Sequence, residues 1–109
     1  MEAMSHNYET QRRETYATFK AAGTSVKLPK TAVVEYLFFI EELDASWDAL
    51  EKAFAKEGFR SKRAKDGMTI VASYGPIPVT PEDIWQHERI ATTIALKHDF
   101  YPDGWELAD

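Results

Sequence analysis

The chain of 109 residues contains no cysteine, which removes disulfide staples, thiolate metal sites and a cysteine nucleophile together. It also fits a reducing compartment. No apolar run approaches the roughly 20 residues of a membrane-spanning helix. Met1 to His6 hold neither the basic start nor the apolar stretch of a secretion signal. The expectation is a cytoplasmic protein with no membrane partner. Glycine and proline number five each, so they act as punctuation, and there is no internal repeat or low-complexity segment. Positive charge is the scarcer sign, with 13 Lys and Arg against 18 Asp and Glu and a net charge of -5. A surface that holds phosphate backbones needs a clustered basic excess. Direct nucleic-acid binding is therefore not expected, and an acidic chain more readily meets a basic protein. A length of this order with 44% hydrophobic residues suits one compact core.

Thr31 to Ile40, T-A-V-V-E-Y-L-F-F-I, is the most strand-like stretch, crowded with β-branched and aromatic residues and charged only at Glu35. Side chains alternate along a strand, so Val34, Tyr36, Phe38 and Ile40 form one face and Val33, Glu35, Leu37 and Phe39 the other. A carboxylate is costly to bury unpaired, which makes the first set the core face. Before this strand, Asn7 to Ala22 reads as a weakly amphipathic helix with Tyr8, Thr15, Phe19 and Ala22 on its stripe. Gln11, Arg12, Arg13 and Glu14 fall off that stripe, and Gly23 is a fitting stop. Such a helix belongs on the outside of a domain.

After the strand, Asp44 is a suitable N-cap for a helix from Ala45 to Glu57 with Trp47, Leu50, Ala53 and Phe54 inward and Gly58 beyond its end. Phe59 to Lys65 and Met68 to Tyr74 flank Asp66-Gly67, the sequence of a type I′ hairpin turn. Gly75 to Val79, with two prolines, reads as a loop. Thr80-Pro81-Glu82-Asp83 opens a last helix running to about Lys97, with Ile84, Ile90, Ala91, Ile94 and Ala95 apolar. Pro102-Asp103-Gly104 then reads as a turn before a short final strand. The order predicts an α+β fold of ferredoxin-like type, βαββαβ, with two crossover helices on one face of an antiparallel sheet. In domain terms, 1–30 is a helix and connector and 31–109 the ferredoxin-like part of a single domain. The uncovered face would carry Val33, Glu35, Leu37 and Phe39 beside Arg60, Lys62, Thr69, Val71 and Ser73, a surface that invites a partner, a weak homodimer or the N-terminal helix.

Chemistry-bearing motifs are sparse. His87-Glu88-Arg89-Ile90-Ala91 begins like the zinc-protease helix but has alanine where the second histidine belongs. His87 and His98 read as half-buried histidines with hydrogen-bond partners, and Ser46 and Ser73 have no nucleophile signature around them. No catalytic residue, metal or cofactor is expected. The split βαβ plan also underlies RNA-stacking domains, yet Phe39 is the only aromatic placed on the open face, and the run Arg60, Lys62, Arg63, Lys65 suits a protected sheet edge. Trp47 reads as core and Trp85 as partly exposed. Trp105 either plugs the end of the core or stands as an interface anchor.

The segment Asp103-Gly104-Trp105-Glu106, after a helix and an aromatic linker, resembles the D-G-W signature of the RraB family, regulator of ribonuclease E activity B. Gln11-Arg12-Arg13-Glu14-Thr15 resembles the family's N-terminal helix and Val34-Glu35-Tyr36 its first strand. Leu50-Glu51-Lys52-Ala53 with Gly58-Phe59 resembles its first crossover helix and the strand that follows. Pro102 stands where the family has an aromatic, and the family's long acidic tail has no counterpart up to Asp109. The resemblance implies a ferredoxin-like, non-enzymatic, cytoplasmic bacterial protein that binds a ribonuclease E scaffold and restrains RNA decay. Candidate contact residues are Asp103, Gly104, Trp105 and Glu106 at the corner, with Glu35, Leu37 and Phe39 on the open face. The alternatives are a small-molecule-binding or catalytic domain of the same plan, with a pocket near Trp105, and a homodimeric structural module.

Overall fold

The computed structural model describes residues 6–25, 27–41 and 45–108. In chain order the elements are α1 (Tyr8–Ser25), β1 (Thr31–Ile40), α2 (Trp47–Lys56), β2 (Arg60–Arg63), β3 (Thr69–Pro78), α3 (Pro81–Leu96) and β4 (Phe100–Leu107). This is an α+β domain with one four-stranded sheet, ordered β2-β3-β1-β4, in which every neighbouring pair is antiparallel. Among the described residues no helix is long and apolar enough to cross a membrane.

β1 is central, as its composition predicts. Val34, Tyr36, Phe38 and Ile40 are buried, and they pack with Ile70 and Ala72 of β3 beneath Leu50 and Phe54 of α2 and Ile84, Ala91 and Ala95 of α3. Each such large side chain contributes roughly 1.5 to 3 kcal/mol on leaving water. The Tyr36 hydroxyl, carried into this layer, is satisfied, because it donates to the Ile84 carbonyl at 2.9 Å. Burial pushes that phenol far above its ordinary range, so it stays a neutral donor.

The helix ends follow local chemistry. α2 closes in a Schellman motif, with Phe59 N–H donating to Phe54 O and Gly58 N–H to Ala55 O, around Gly58 at φ 87°. Ser46 occupies its N-cap without a side-chain cap bond; the expected cap, Asp44, lies outside the described residues. At α3 the Thr80 hydroxyl accepts from Asp83 N–H, with Pro81 opening the helix.

Four expectations need correction. α1 runs through Gly23 to Ser25, because Gly23 does not take the left-handed conformation of a helix stop. The hairpin between β2 and β3 is wider than a type I′ turn: Gly67 N–H bonds to Ala64 O and Ala64 N–H to Thr69 O. Only Gly67 has positive φ there, and the Asp66 carboxylate accepts from Met68 N–H and Thr69 N–H, which favours a longer loop. Gly75 to Val79 is largely strand, since β3 reaches Pro78 and buries Ile77. Gly75 and Pro76 together oppose Val33 as a bulge within β3, with Gly75 at φ 125°. Lastly, Pro102-Asp103-Gly104 is no turn before a strand but a bulge within β4, which begins at Phe100. The tight connection falls earlier, at Asp99 with φ 64°.

Candidate interaction site

β4 is an edge strand, so one row of its backbone groups has no ladder partner within the sheet. Its bulge decides what that edge presents. Tyr36 pairs with Trp105 and Phe38 with Pro102, so Asp103 and Gly104 together oppose Leu37. Gly104 takes φ 96° and nothing lies within 4 Å of where a Cβ would stand, so glycine is required there by conformation and not by crowding. The extra residue aims Trp105 inward with Tyr36, toward the helices, and Glu106 outward, opposite Glu35. Asp103 and Glu106 are exposed, while Trp105 is half-buried against the core. Its indole Nε1 is buried with no hydrogen-bond partner among the described residues.

α1 packs on α3 and forms the other wall of a groove of about 990 Å³ along the β4 edge. The floor between the two helices is polar. Gln11 (7% exposed), Thr15 (3%), Glu88 (3%) and Thr92 (0%) are buried together. Thr15 Oγ1 donates to Glu88 Oε1, and Gln11 Nε2 donates to Glu88 Oε2 at 3.1 Å and to Thr92 Oγ1 at 2.9 Å. His6 Nε2 donates to Gln11 Oε1 at 2.6 Å. Desolvation is the largest influence on Glu88 and holds its carboxyl above the ordinary carboxylate range, with the Thr15 and Gln11 hydrogen bonds opposing it.

The open sheet face has the expected register. Glu35 lies opposite Ser73, Leu37 opposite Val71 and Phe39 opposite Thr69, with Arg60 and Lys62 beyond on β2. Tyr101 joins it from β4, its ring 5.9 Å from that of Phe39. Two carboxylates, Glu35 and Glu106, sit side by side there, and like charges directly opposite are unfavourable on a sheet. Arg63 leaves the basic edge to grip α2, bonding both Glu51 oxygens at 2.9 and 3.0 Å and Asp48 at 2.8 Å, with its guanidinium 5.2 Å over Trp47.

The candidate residues thus divide. Leu37, Asp103, Gly104, Trp105 and Glu106 line the one groove. Glu35 and Phe39 remain on the sheet face beside it. His87 and His98 each donate Nδ1–H to a helix carbonyl, of Asp83 at 2.9 Å and Ile94 at 3.0 Å, and His87 stacks on Tyr74. Among the described residues no three His, Asp or Glu side chains gather as a metal site.

Sequence reasoning missed Gln11, placed off the α1 stripe, and the burial of Glu88 and Thr92. A signal was available. Gln11 and Thr15, and Glu88 and Thr92, are each one helical turn apart, so two polar pairs could mate across two helices. No family model matches this chain, and no curated protein matches it either.

Proposed function

We propose that this domain, on the ferredoxin-like βαββαβ plan, is a non-catalytic cytoplasmic regulator that works by holding a protein partner. Ribonuclease E is the partner that the resemblance of its Asp103-Gly104-Trp105-Glu106 corner implies. Support for the plan comes from the element order after α1 and from the strand order β2-β3-β1-β4. The observation that carries the binding role is the β4 bulge, which turns a rigid strand edge into a corner with Trp105 half-buried and two carboxylates exposed beside a groove. A bulge at an edge re-aims side chains and blunts sheet-to-sheet pairing, so what it presents is read by side chains.

The test is direct. The purified chain, mixed with ribonuclease E that retains its scaffold region, should co-elute with it and slow cleavage of a structured RNA substrate, while the isolated nuclease domain should be unaffected. Cleavage at unchanged rate with no co-elution would remove ribonuclease E as the partner.

A further inference from the structure

The open face of the sheet carries opposite charge at its two edges, which are β2 and β4. On β2, Arg60 and Lys62 are exposed and share this face with Ser73 and Val71. On the other side Glu106 is exposed on β4, with Glu35 next to it on β1. Among the described residues none of these four charged side chains is in an ion pair. Between the edges the face is apolar, with Leu37 opposite Val71 and the Phe39 ring against Tyr101, all of them half-buried. The helix that could have crossed this face, α1, packs on α3 instead.

The register sets these groups in rows. Arg60, Ser73, Glu35 and Glu106 pair in turn across all four strands, and Lys62, Val71 and Leu37 make the next row, which ends at the Asp103-Gly104 bulge. Each row therefore runs from a cation on β2 to an acidic residue on β4. A two-fold axis lying along the strands, between β3 and β1, exchanges the two ends of a row and keeps its height. Two copies laid face to face on that axis set Arg60 of each over Glu106 of the other, Lys62 over the exposed Asp103 corner and Leu37 over Val71. Stacked sheets lie about 10 Å apart, a gap that the apolar side chains fill and that arginine and lysine stems span at the edges. An axis across the strands would instead set β2 on β2 and β4 on β4, cation against cation, so the charges choose between the two arrangements. The chosen one also brings a guanidinium to each unfavourable Glu35-Glu106 pair. A nucleic acid would be drawn to β2 and repelled by those carboxylates, whereas a second copy is attracted at both edges.

We infer that the open sheet face is a homodimer interface, in which two copies pair face to face about a two-fold axis along the strands, with reciprocal Arg60-Glu106 ion pairs around a centre of Leu37, Phe39 and Val71. The pairing needs no ribonuclease E and stands whether or not that partner is the right one.

Sedimentation equilibrium of the intact chain tests it, taken up to roughly 0.5 mM because a single sheet face makes a small and hence weak interface. A reversible monomer–dimer equilibrium is expected. Arg60→Glu sets like charges together twice per dimer, and so does Glu106→Arg; each should weaken the dimer by about tenfold or more. Both positions are exposed, so the melting temperature of either variant at low concentration should stay close to the parent's. The double variant Arg60→Glu/Glu106→Arg restores opposite charges at both contacts and should return to within about threefold of the parent. The two single variants, each weak alone, should form a mixed dimer when combined, because every edge contact between them is then of opposite sign. Lys52→Glu, exposed on α2 behind the sheet, makes the same change of net charge as Arg60→Glu and should alter dimerisation by no more than about twofold. A parent that stays monomeric throughout, a dimer untouched by Arg60→Glu, a double variant as weak as the singles, single variants that do not pair with each other, or Lys52→Glu as harmful as Arg60→Glu would each overturn the proposal.

Discussion

Trp105 meets two opposing demands at the scale of one side chain, since its ring adds apolar cover at the end of the core while its N–H is shut away without an acceptor among the described residues. Trp105→Ala should therefore destabilise the domain by about 2 to 4 kcal/mol in urea unfolding, less than a wholly buried ring would. Trp105→Phe trades lost ring area against relief of the stranded donor and should stay within about 1 kcal/mol of the parent. A phenylalanine variant as damaged as the alanine one would mean that the indole N–H has a partner after all.

Glu88 gives a second prediction at this scale. Its carboxyl is raised in the folded state by burial, so the fold binds that proton more tightly than the unfolded chain does. The contribution is fully present below the ordinary carboxylate pKa and is lost as pH rises through the folded value. Glutamine can replace both bonds, accepting from Gln11 and donating to Thr15 once that hydroxyl turns. The melting temperature of Glu88→Gln relative to the parent should accordingly climb from acid to neutral pH. A difference that is flat with pH would show that Glu88 does not titrate in this way.

Among the elements, the bulges that β3 and β4 make opposite β1 explain where the sequence was legible and where it was not. The alternation of Val34, Tyr36, Phe38 and Ile40 is a pattern of one strand, and burial follows it residue by residue. The same holds for the Thr80 cap and for the partners of Glu35, Leu37 and Phe39, whose face follows from the period of two. Gly75-Pro76 and Asp103-Gly104 look like loop punctuation in isolation, because the strand that each is paired with, β1, is distant in sequence. The corner was found as a motif, but the groove behind it depends on α1 docking by polar residues, which a search for apolar stripes passes over. Glycine substitutions separate the sites. Gly75→Ala would place a Cβ 2.8 Å from Ile77 N and 3.0 Å from Ala32 O, so it should cost well over the roughly 1 to 3 kcal/mol of backbone strain alone. Gly67→Ala, with open space around it, should cost about 1 to 2 kcal/mol. Thermal melts that rank these two the other way would contradict the bulge geometry.

For the molecule as a whole, the layers differ in what holds them. Sheet, α2 and α3 share one apolar core, whereas α1 meets α3 through Gln11, Thr15, Glu88 and Thr92, with Tyr8 and Thr93 joined at 2.9 Å and Phe19 as an apolar foothold. Hydrogen bonds of this kind contribute about 0.5 to 3 kcal/mol each against the helix's ordering entropy. Native-state hydrogen exchange should therefore show α1 amides opening well below the free energy of global unfolding, while those of β1 exchange only with it. α1 amides protected as strongly as those of β1 would refute the layering. The sequence distance across that contact has a consequence for synthesis. Gln11 and its partners Glu88 and Thr92 are 77 and 81 residues apart, and a ribosome adds about 5 to 20 residues per second. α1 is thus synthesised roughly 4 to 16 s before these partners on α3, and through that interval it has no docking surface there.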